Sequence, residues 1–369
     1  MSFISKTTAF LGMHALRSLV SDSIAIDMGS ATTVVYVRGR GVAVDEPSLV
    51  AISTSTGDVL AIGKEALEFY GREAREVTVI APLLSGVVAD FERTRAMLEV
   101  LVRKARGGVS YFSRRALMSV VSDVTQVERR ALLNAAENAR IGRVWMIEEG
   151  LAAAFGAGVR VDDPHASAVV DIGSGKTSVT IVAQGAIVHA RSTRLGSSDI
   201  NAAIIDHVRR HRGLVIGARS AERLKLELAA QAVPADLGEE ISIKGRDVVT
   251  ARPERIEITA GEIYPVAHEV VRKIARGIAS ALTELSPEVA GDLYDRGIIL
   301  TGGGAQFPTL EEYLRELTKL PVRIVEEPRY AIVRGLEKMF DEPLWLRRVL
   351  RNDPQLLVGL QSESSGFET

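Results

Sequence analysis

Two separate stretches of the sequence place an aspartate and a run of small residues between two apolar segments. In the first, Asp27 is followed by residues 29–32; in the second, Asp171 is followed by residues 173–175. The flanking apolar segments predict β-strands, so each aspartate lies at the tip of a β-hairpin. Glycine lets backbone N–H groups approach an anion, and a carboxylate can hold a hydrated divalent cation. One Asp-x-Gly is most often an ordinary turn, but two such hairpins predict a clamp for a polyphosphate and its metal.

The residues Gly175, Lys176 and Thr177 also match the end of a Walker A loop. That loop requires a glycine five positions before Gly175, where the sequence has Val170, and a helix afterwards. An alternating apolar segment follows instead, and it predicts a strand. The better interpretation is therefore a phosphate-binding turn between two strands.

Two further candidate positions lie where a buried strand is expected to end. Glu149 follows the apolar segment at residues 144–147, and three glycines at residues 302–304 follow another at residues 298–301. A carboxylate at the carboxyl edge of a strand in an α/β layer is well placed to orient an attacking water. Consecutive glycines allow a flat base or a ribose to lie directly on the backbone.

Two other polar features have simpler interpretations. Glu128 follows Thr125 at the start of a helical pattern, which predicts a capping box rather than a catalyst. His207 and His211 have the spacing of a metal-binding pair on a helix, but arginines lie beside them and no carboxylate ligand is adjacent. That pattern favours a solvated helix face.

The composition sets broad limits on structure and function. A chain of 369 residues predicts two domains, each large enough for its own core. A net charge of -2 argues against a protein held to nucleic acid by bulk charge. The absence of cysteine excludes disulfide frameworks, thiolate zinc sites and cysteine nucleophiles. No apolar window is long enough for a spanning helix, and the first residues do not resemble a cleaved signal peptide.

Two segments are candidates for contact with a membrane surface. In residues 1–20, the side chains of Ala9, Met13, Leu16 and Val20 share one helical face, which is typical of an interfacial amphipathic helix. Tyr111 and Phe112 lie between arginines, so their rings suit the interface and the cations suit the headgroups. The alternatives are a frayed or packed N-terminal helix, and a loop that folds back on the core.

Hydrophobic periodicity predicts the elements that position these residues. Helices are expected at residues 64–70, 87–106, 151–157, 199–211, 220–229 and 260–285 and directly after the glycines at 302–304. Strands are expected at residues 23–26, 33–37, 116–121, 144–147, 168–170, 179–182 and 298–301. Short strands are expected within residues 42–62 and 241–259. Residues 162–164, with the sequence Asp-Asp-Pro, mark a hinge between the two halves.

The order of these motifs resembles that of the MreB/Mbl-type bacterial actin homologues, within the actin-like ATPase superfamily, over about residues 23–336. The matching stretches include Ile-Ala-Ile-Asp-Met-Gly at residues 24–29, Asp-Glu-Pro-Ser at 45–48, Gly-Val-Val-Ala-Asp-Phe at 86–91, Val-Glu-Arg-Arg-Ala at 127–131, Asp-Ile-Gly at 171–173 and Asp-Arg-Gly-Ile-Ile-Leu-Thr-Gly-Gly-Gly-Ala at 295–305. Together these motifs are highly specific.

The resemblance implies an α/β actin-like ATPase fold of two domains, each with a smaller subdomain, and a nucleotide in the interdomain cleft. Domain I would comprise residues 23–164 with a subdomain at about 46–86, and domain II residues 165–314 with a subdomain at about 197–260. Residues 315–340 would return to domain I, residues 1–22 would form the amphipathic anchor, and residues 341–369 a tail. The implied function is a filament-forming, membrane-associated cytoskeletal protein that binds ATP and Mg²⁺ and organises cell shape and cell-wall synthesis.

The resemblance also implies roles for individual residues. Asp27 and Asp171 would face the hydrated metal, and Glu149 would position the hydrolytic water. The phosphates would be held by Gly29, Ser30, Ala31, Thr32, Gly173, Ser174, Gly175 and Thr177. The nucleoside would be lined by Glu222 and Lys225 and by Gly302, Gly303, Gly304 and Ala305. Tyr111 and Phe112 match the membrane-inserting loop. The implied partners are further copies of the chain in paired protofilaments, the membrane surface and membrane proteins of cell-wall synthesis.

The sequence departs from the family pattern at positions beside the residues that the resemblance assigns to hydrolysis. Ser174 replaces a glycine, Lys176 replaces a threonine near the attacking water, and Gly150 replaces a proline, which is expected to loosen the turn beside Glu149. Lys176 could pair with the terminal phosphate and so act in catalysis, by stabilising either bound ATP or the charge that develops in the transition state. It could equally displace the water and slow turnover. A nucleotide-locked scaffold with little hydrolysis, or a specialised paralogue, therefore stands beside the slow ATPase as an alternative.

Overall fold

The computed structural model describes residues 23–107, 115–122, 124–139, 141–230, 238 and 240–342. The strands are β1 (Ser23–Met28), β2 (Thr32–Val37), β3 (Gly41–Pro47), β4 (Val50–Ser53), β5 (Val59–Ile62), β6 (Val77–Ile80), β7 (Leu83–Leu84), β8 (Val87–Val88), β9 (Arg115–Val120), β10 (Arg143–Glu148), β11 (Ser167–Ile172), β12 (Thr177–Ala183), β13 (Ala186–Thr193), β14 (Leu214–Val215), β15 (Glu240–Asp247), β16 (Pro253–Thr259), β17 (Ile298–Thr301) and β18 (Val322–Ile324).

The helices, numbered over the described residues, are α1 (Lys64–Phe69), α2 (Phe91–Ala105), α3 (Gln126–Asn138), α4 (Glu149–Gly156), α5 (Ser197–Arg212), α6 (Ala218–Ala230), α7 (Ala260–Leu282), α8 (Pro287–Arg296), α9 (Leu310–Thr318) and α10 (Ala331–Met339). Two short 3₁₀ helices span Gly303–Gln306 and Pro328–Tyr330.

Two five-stranded sheets share one topology. Their strand orders are β10-β9-β1-β2-β3 and β13-β12-β11-β17-β18. In each sheet an antiparallel meander of three strands is extended on one side by two parallel strands. The two halves of the chain are therefore built on the same plan, and the two predicted hairpins, β1–β2 and β11–β12, occupy equivalent positions.

Each large sheet has its own core, and a third core joins the two halves. The alternating apolar residues of β1 and β11 face opposite sides of their sheets, as the two-residue period of a strand requires. Ala25 and Val169 accordingly lie in the shared core, whereas their neighbours Ile24 and Val170 lie in the cores of their own halves. Helices α4 and α10 supply most of the rest of the shared core. These two helices thus lie at the junction between the halves.

A small sheet stands on each half. Strands β4, β5 and β6 pair beside α1 in the first half, and strands β14, β15 and β16 pair in the second. Glu46 connects the first of these to its larger sheet, because its Oε2 accepts a hydrogen bond of 3.1 Å from the backbone N–H of Lys64 and pairs with Lys104 at 3.2 Å. The two small sheets correspond in position to the two predicted subdomains.

Two of the predicted element boundaries are wrong. The helix expected from Val87 begins at Phe91, because Asp90 is its N-cap and accepts a hydrogen bond of 3.0 Å from the backbone N–H of Arg93. Val87 and Val88 instead form strand β8. The helix expected directly after the three glycines is a short 3₁₀ helix, and α9 begins only at Leu310.

The segment expected to be a hinge is bonded to the second half. Asp163 accepts hydrogen bonds from Arg296 at 2.7 Å and from the backbone of His165 at 2.9 Å. These donors hold the pKa of Asp163 well below its usual range. The carbonyl of Asp163 also accepts a hydrogen bond of 2.8 Å from the backbone of Gln184. Movement between the halves is therefore expected outside this residue rather than at it.

Candidate functional site

A cleft of about 540 Å³ lies between the two halves and collects most of the predicted site residues. Its lining includes Asp27, Gly29, Ser30, Ala31, Thr32, Glu149, Asp171, Gly173, Ser174, Gly175, Lys176, Glu222, Lys225, Gly302, Gly303 and Gly304. Two predicted residues do not line it. Thr177 is buried and its hydroxyl donates to the carbonyl of Leu195 at 2.7 Å, and Ala305 is fully buried in the second core.

The tips of the two hairpins have the same hydrogen-bonding pattern. The backbone N–H of Gly29 donates to the carbonyl of Thr32 at 3.0 Å, and that of Gly173 donates to the carbonyl of Lys176 at 2.9 Å. A Cβ at Gly29 would lie 2.8 Å from the carbonyl oxygen of Thr32, so a side chain there would force the turn open. Gly29 is therefore needed for the tight turn at the first tip, whereas at Gly173 the corresponding distance to the carbonyl oxygen of Lys176 is 3.2 Å, which is tight but leaves more room.

Neighbouring segments bind the carbonyl groups of both tips. At the first tip, Ser48 donates from its hydroxyl to the carbonyl of Gly29 at 2.6 Å and from its backbone to that of Ala31 at 2.9 Å. At the second, the hydroxyl and the backbone N–H of Ser198 donate to the carbonyl of Ser174 at 2.7 and 2.8 Å. Because the carbonyls are held in these bonds, the tips present backbone N–H groups to an anion in the cleft.

The two aspartates lie deep in the cleft and carry raised pKa values. Asp27 accepts a hydrogen bond from Ser119 at 2.7 Å, and Asp171 accepts one from Thr301 at 3.0 Å. Burial is the main cause that raises the pKa of Asp27 to about 6. Burial, followed by repulsion from Glu149 and Asp27, raises the pKa of Asp171 to about 7. Repulsion from Glu149 contributes to the raised pKa of both aspartates, so a cation beside them would stabilise their charged forms.

The two aspartates fit a hydrated cation that is shared with phosphate groups. In the part of the chain that the structure describes, no three His, Asp or Glu side chains are grouped as metal ligands. Magnesium keeps several of its waters in most protein sites and is often held by one or two carboxylates together with phosphate oxygens. Asp27, Asp171 and the glycine tips could hold Mg²⁺ through water and phosphate, and this role stays a prediction.

Replacing Asp171 by Asn is expected to stabilise the free protein while removing metal-dependent nucleotide binding. Its pKa is raised from 3.8 to about 7, so the folded state binds the extra proton and the free energy of unfolding falls as pH rises through that window. In the presence of EDTA and without nucleotide, the variant should be more stable than the parent by up to about 4 kcal/mol at pH 8, the free energy that corresponds to the raised pKa.

The difference between the two proteins should disappear near pH 4, where Asp171 is protonated in the folded parent protein. Denaturant unfolding at pH 4, 6 and 8 measures it, and equilibrium binding at pH 8 measures the loss of affinity for ATP with Mg²⁺. A variant whose stability follows that of the parent at every pH would contradict the electrostatic account of this site.

Lys176 and Glu149 form an ion pair inside the cleft. The Nζ of Lys176 lies 2.5 Å from the Oε1 of Glu149, and the two side chains are only 11% and 13% exposed. The same carboxylate oxygen accepts a hydrogen bond of 2.9 Å from the hydroxyl of Ser178. The residue predicted to orient water is thus held by a cation and a hydroxyl, both from β12 or the turn before it. Sequence reasoning identified Lys176 as unusual but did not predict its partner.

The expectation that Gly150 loosens the turn beside Glu149 is wrong. Glu149 and Gly150 open helix α4, and Gly150 is buried. A Cβ at Gly150 would lie 2.1 Å from the Oγ1 of Thr180, because the start of the helix packs directly on strand β12. The glycine allows a close contact that holds Glu149 beside Lys176.

The far end of the cleft has the residues expected for a nucleoside. Lys225 is buried and its Nζ lies 2.7 Å from the Oε2 of Glu222, which also accepts a hydrogen bond of 2.6 Å from Asn201. Gly302 has a φ of +82°, and a Cβ there would lie 2.5 Å from the carbonyl oxygen of Ile172. The glycine at 302 is therefore required by its packing against Ile172, whereas a Cβ at Gly303 would meet no atom within 4 Å, so the backbone is open there.

Several cleft residues were not predicted from the sequence. Ser85 and Gly86 form the turn between β7 and β8, and the backbone N–H of Gly86 donates to the hydroxyl of Ser30 at 2.9 Å. Ser85 has a φ of +50°, an uncommon conformation for a residue with a side chain. Arg329 lines the cleft beside the three glycines. The Ser-Gly pair is a turn signal in the sequence, but only the tertiary fold places this turn over the first tip.

Three predictions concern residues outside the described part of the chain. Tyr111 and Phe112, the anchor at residues 1–22 and almost all of the tail at residues 341–369 are among these residues. Over the described residues, no helix combines the length and apolar character needed to cross a bilayer. The solvated helix face predicted for His207 and His211 is wrong for His207: its side chain is only 19% exposed, because its Nε2 lies 3.2 Å from the Oε1 of Glu262 on α7 and its ring lies against that of His211.

The chain is similar to known proteins over most of its length. The family model described as MreB/Mbl protein matches residues 21–348. The cell shape-determining protein MreB of Escherichia coli strain K12 is 38% identical over 329 residues, which cover 88% of this chain and 94% of that protein. The cell shape-determining protein Mbl of Bacillus subtilis strain 168 is 36% identical over 86% of this chain and 95% of that protein. The crystal structure of MreB 5 of Spiroplasma citri bound to AMPPNP is 30% identical and covers 89% of this chain and 98% of that one, with a TM-score of 0.81.

Proposed function

The chain belongs to the MreB/Mbl family, and we propose that it is a nucleotide-dependent, filament-forming cytoskeletal protein with a role in cell shape. The actin-like fold predicted from the sequence is confirmed. The proposal covers ATP with Mg²⁺ as the ligand, assembly into paired protofilaments, and a peripheral position on the inner face of the cell membrane, where membrane proteins of cell-wall synthesis are its partners.

The observation that carries the proposal is the pair of matching hairpin tips that face one cleft. Asp27 and Asp171 approach from opposite halves, and each is followed by a tight glycine turn whose carbonyls are bonded elsewhere. Bound Mg²⁺ supplies charge neutralisation between the phosphates and the two carboxylates. Because the two tips belong to different halves, a ligand that contacts both favours a closed cleft. A related solved protein of this family is described as bound to AMPPNP, which supports the same ligand class here.

A closed cleft provides the link from ligand binding to assembly. Arg219, at the start of α6, donates to the carbonyl of Leu67 in α1 at 3.2 Å, so the two halves are also bonded to each other through these helices. A nucleotide that binds the closed form more tightly shifts the population toward that form by its difference in affinity. We expect the closed form to be the one that stacks into filaments.

Sedimentation and equilibrium binding test this function. Full-length protein should bind ATP with Mg²⁺ and pellet as filaments visible by electron microscopy, and EDTA should abolish both. Asp171→Asn should lose both, whereas Gly291→Ala should keep both, because a Cβ at Gly291 meets no atom within 4 Å on the surface of α8. Protein that neither binds the nucleotide nor assembles with it would exclude the proposed function.

A scaffold with little hydrolysis is the second candidate, and the Lys176–Glu149 ion pair favours it. A carboxylate orients an attacking water by accepting its hydrogen bond, and here the Oε1 of Glu149 is held at 2.5 Å by Lys176 and at 2.9 Å by Ser178. With its Oε1 held by these two groups, Glu149 has a reduced capacity to accept a hydrogen bond from water. The two candidates share nucleotide binding and differ only in the rate at which phosphate is released.

The membrane part of the proposal rests on the sequence. Deleting residues 1–20, or replacing both Tyr111 and Phe112 by Ser, should each lower the fraction of protein bound to vesicles that contain anionic lipid, and the combination should lower it furthest. Two weak anchors on one protein bind a membrane much more firmly than either alone. Flotation with anionic and with neutral vesicles measures the effect, and unchanged flotation of the combined variant would contradict the proposal.

A further inference from the structure

Asp45, Arg329 and Tyr330 form a contact between the first half of the chain and the segment that returns from the second. We call these three residues the Asp45 clasp. The NH2 group of Arg329 lies 2.5 Å from the Oδ1 of Asp45, and the hydroxyl of Tyr330 donates to the Oδ2 at 2.9 Å. Both carboxylate oxygens are therefore bonded to the same short segment. The hydrogen bond to Asp45 is the first cause that raises the pKa of Tyr330.

The returning side of the clasp is connected to the nucleoside end of the cleft. Arg329 and Tyr330 belong to the 3₁₀ helix Pro328–Tyr330, and the carbonyl of Pro328 accepts a hydrogen bond of 2.8 Å from the backbone N–H of Gly302. Gly302 begins the glycine loop, and Arg329 itself lines the cleft. A ligand that orders the glycine loop therefore also orders the segment that holds Asp45.

The other side of the clasp is connected to the phosphate end and to the first small sheet. Asp45 lies in β3, three residues before Ser48, which donates to the carbonyl of Gly29 at the first hairpin tip. Glu46, between them, bonds to the backbone of Lys64 at the start of α1. The end of β3 is thus in contact with the first tip, with the first small sheet and, through Asp45, with the nucleoside loop.

We propose that the Asp45 clasp couples occupancy of the nucleoside loop to the position of the first half of the chain, so that Asp45, Arg329 and Tyr330 are positioning residues for cleft closure. The inference rests on the proposed nucleotide binding. The simpler interpretation is an ordinary surface ion pair, which contributes little to stability. The two interpretations differ in what they predict: an ordinary pair affects neither nucleotide affinity nor the closure that nucleotide produces, whereas a coupling element affects both.

The test uses Asp45→Asn, Tyr330→Phe and the double variant in the full chain. Asp341→Asn is the matched control, because Asp341 pairs with Arg38 and also joins the returning segment to the first half. Each clasp variant should bind ATP with Mg²⁺ about tenfold more weakly, a typical size for a coupling between sites. The melting temperature without nucleotide should change little, and the double variant should lose less than the sum of the two single losses.

Cleft closure is measured directly with spin labels. The chain contains no cysteine, so Glu68→Cys in α1 and Val249→Cys at the exposed tip between β15 and β16 report the distance between the two small sheets. At a concentration below that of filament formation, ATP with Mg²⁺ should narrow the distance distribution in the parent protein and in Asp341→Asn, and much less in the clasp variants at saturating nucleotide.

The outcomes separate this inference from the proposed function. A parent protein that does not bind ATP overturns both. A parent that binds, together with clasp variants that bind equally well and close equally, overturns the clasp alone. Equal losses of ATP affinity in the clasp variants and in Asp341→Asn also overturn it. They would show that breaking any contact between the returning segment and the first half weakens binding.

Discussion

Replacing Lys176 by Thr is expected to raise the rate of phosphate release at saturating ATP by about tenfold to a hundredfold. The change removes the cation that lies 2.5 Å from the Oε1 of Glu149. That carboxylate can then accept a hydrogen bond from water, and a positioned general base contributes a factor of this size or more to catalysis. The ion pair has only 11% and 13% exposed side chains, so solvent does little to weaken it.

Affinity and rate must be separated in this experiment, because Lys176 also contributes positive charge beside the phosphates. Lys176→Thr is therefore expected to weaken ATP binding while it increases the maximal rate. Phosphate release over a range of ATP concentrations measures both the affinity and the maximal rate. Lys176→Arg serves as the control, because it keeps a positive charge beside the phosphates and a cation that can pair with Glu149. The double variant Lys176→Thr with Glu149→Ala should fall back to the low rate of the parent.

A maximal rate that is unchanged or lower in Lys176→Thr would mean that the lysine does not restrain Glu149. Such a result would support the alternative in which Lys176 stabilises the charge that develops on the transferred phosphate. The same experiment thus distinguishes a restrained ATPase from an enzyme that uses its lysine in catalysis.

The sequence predicted those parts of the site that depend on local structure. Each hairpin tip is specified by residues close together in the chain: an apolar strand, Asp27 or Asp171, a glycine turn, and a second apolar strand. The two-residue period of the strands and the conformational needs of glycine determine these features without long-range contacts. The capping box of Thr125 and Glu128 was predicted and is confirmed for the same reason.

The contacts between the halves could not be predicted in this way. Lys176 and Glu149 lie on different elements, and their pairing depends on how closely α4 packs on β12. That distance is set by the glycine at 150 against Thr180, a complementarity that has no periodic signature. Ser85 and Arg329 reach the cleft from the β7–β8 turn and from the returning segment. Their local sequences contain a turn signal and a cation, but neither indicates which part of the molecule they will face.

The same limitation applies to the two glycines that allow α4 and α10 to cross. In the sequence, Gly156 and Gly335 look like weak points of two short helices. In the structure, a Cβ at Gly335 would lie 1.7 Å from the carbonyl oxygen of Ala152, and one at Gly156 would lie 1.8 Å from that of Ala331. The two backbones are in direct contact, so no side-chain rotation can make room at either position.

Gly335→Ala is therefore expected to reduce the free energy of unfolding by about 3 kcal/mol, the upper part of the range for overpacked cores. It should also weaken ATP binding, because α10 follows Arg329 directly and α4 begins at Glu149 in the cleft. Separating the two helices moves both residues relative to the hairpin tips. Denaturant unfolding and equilibrium nucleotide binding of the same preparations measure the two effects.

Gly291→Ala is the matched control for Gly335→Ala. It makes the same chemical change in a helix, but at an exposed position where a Cβ meets no atom within 4 Å. Alanine favours a helix by about 1 kcal/mol over glycine, so the control should be slightly more stable than the parent and should bind ATP equally well. If Gly335→Ala were as stable as the control, the two helices could separate at little cost and would not form a rigid junction. If Gly335→Ala lost stability but kept its affinity for ATP, the junction of α4 and α10 would support the fold without positioning the cleft. Closure of the cleft would then depend on the contact between Arg219 and Leu67 and on the Asp45 clasp.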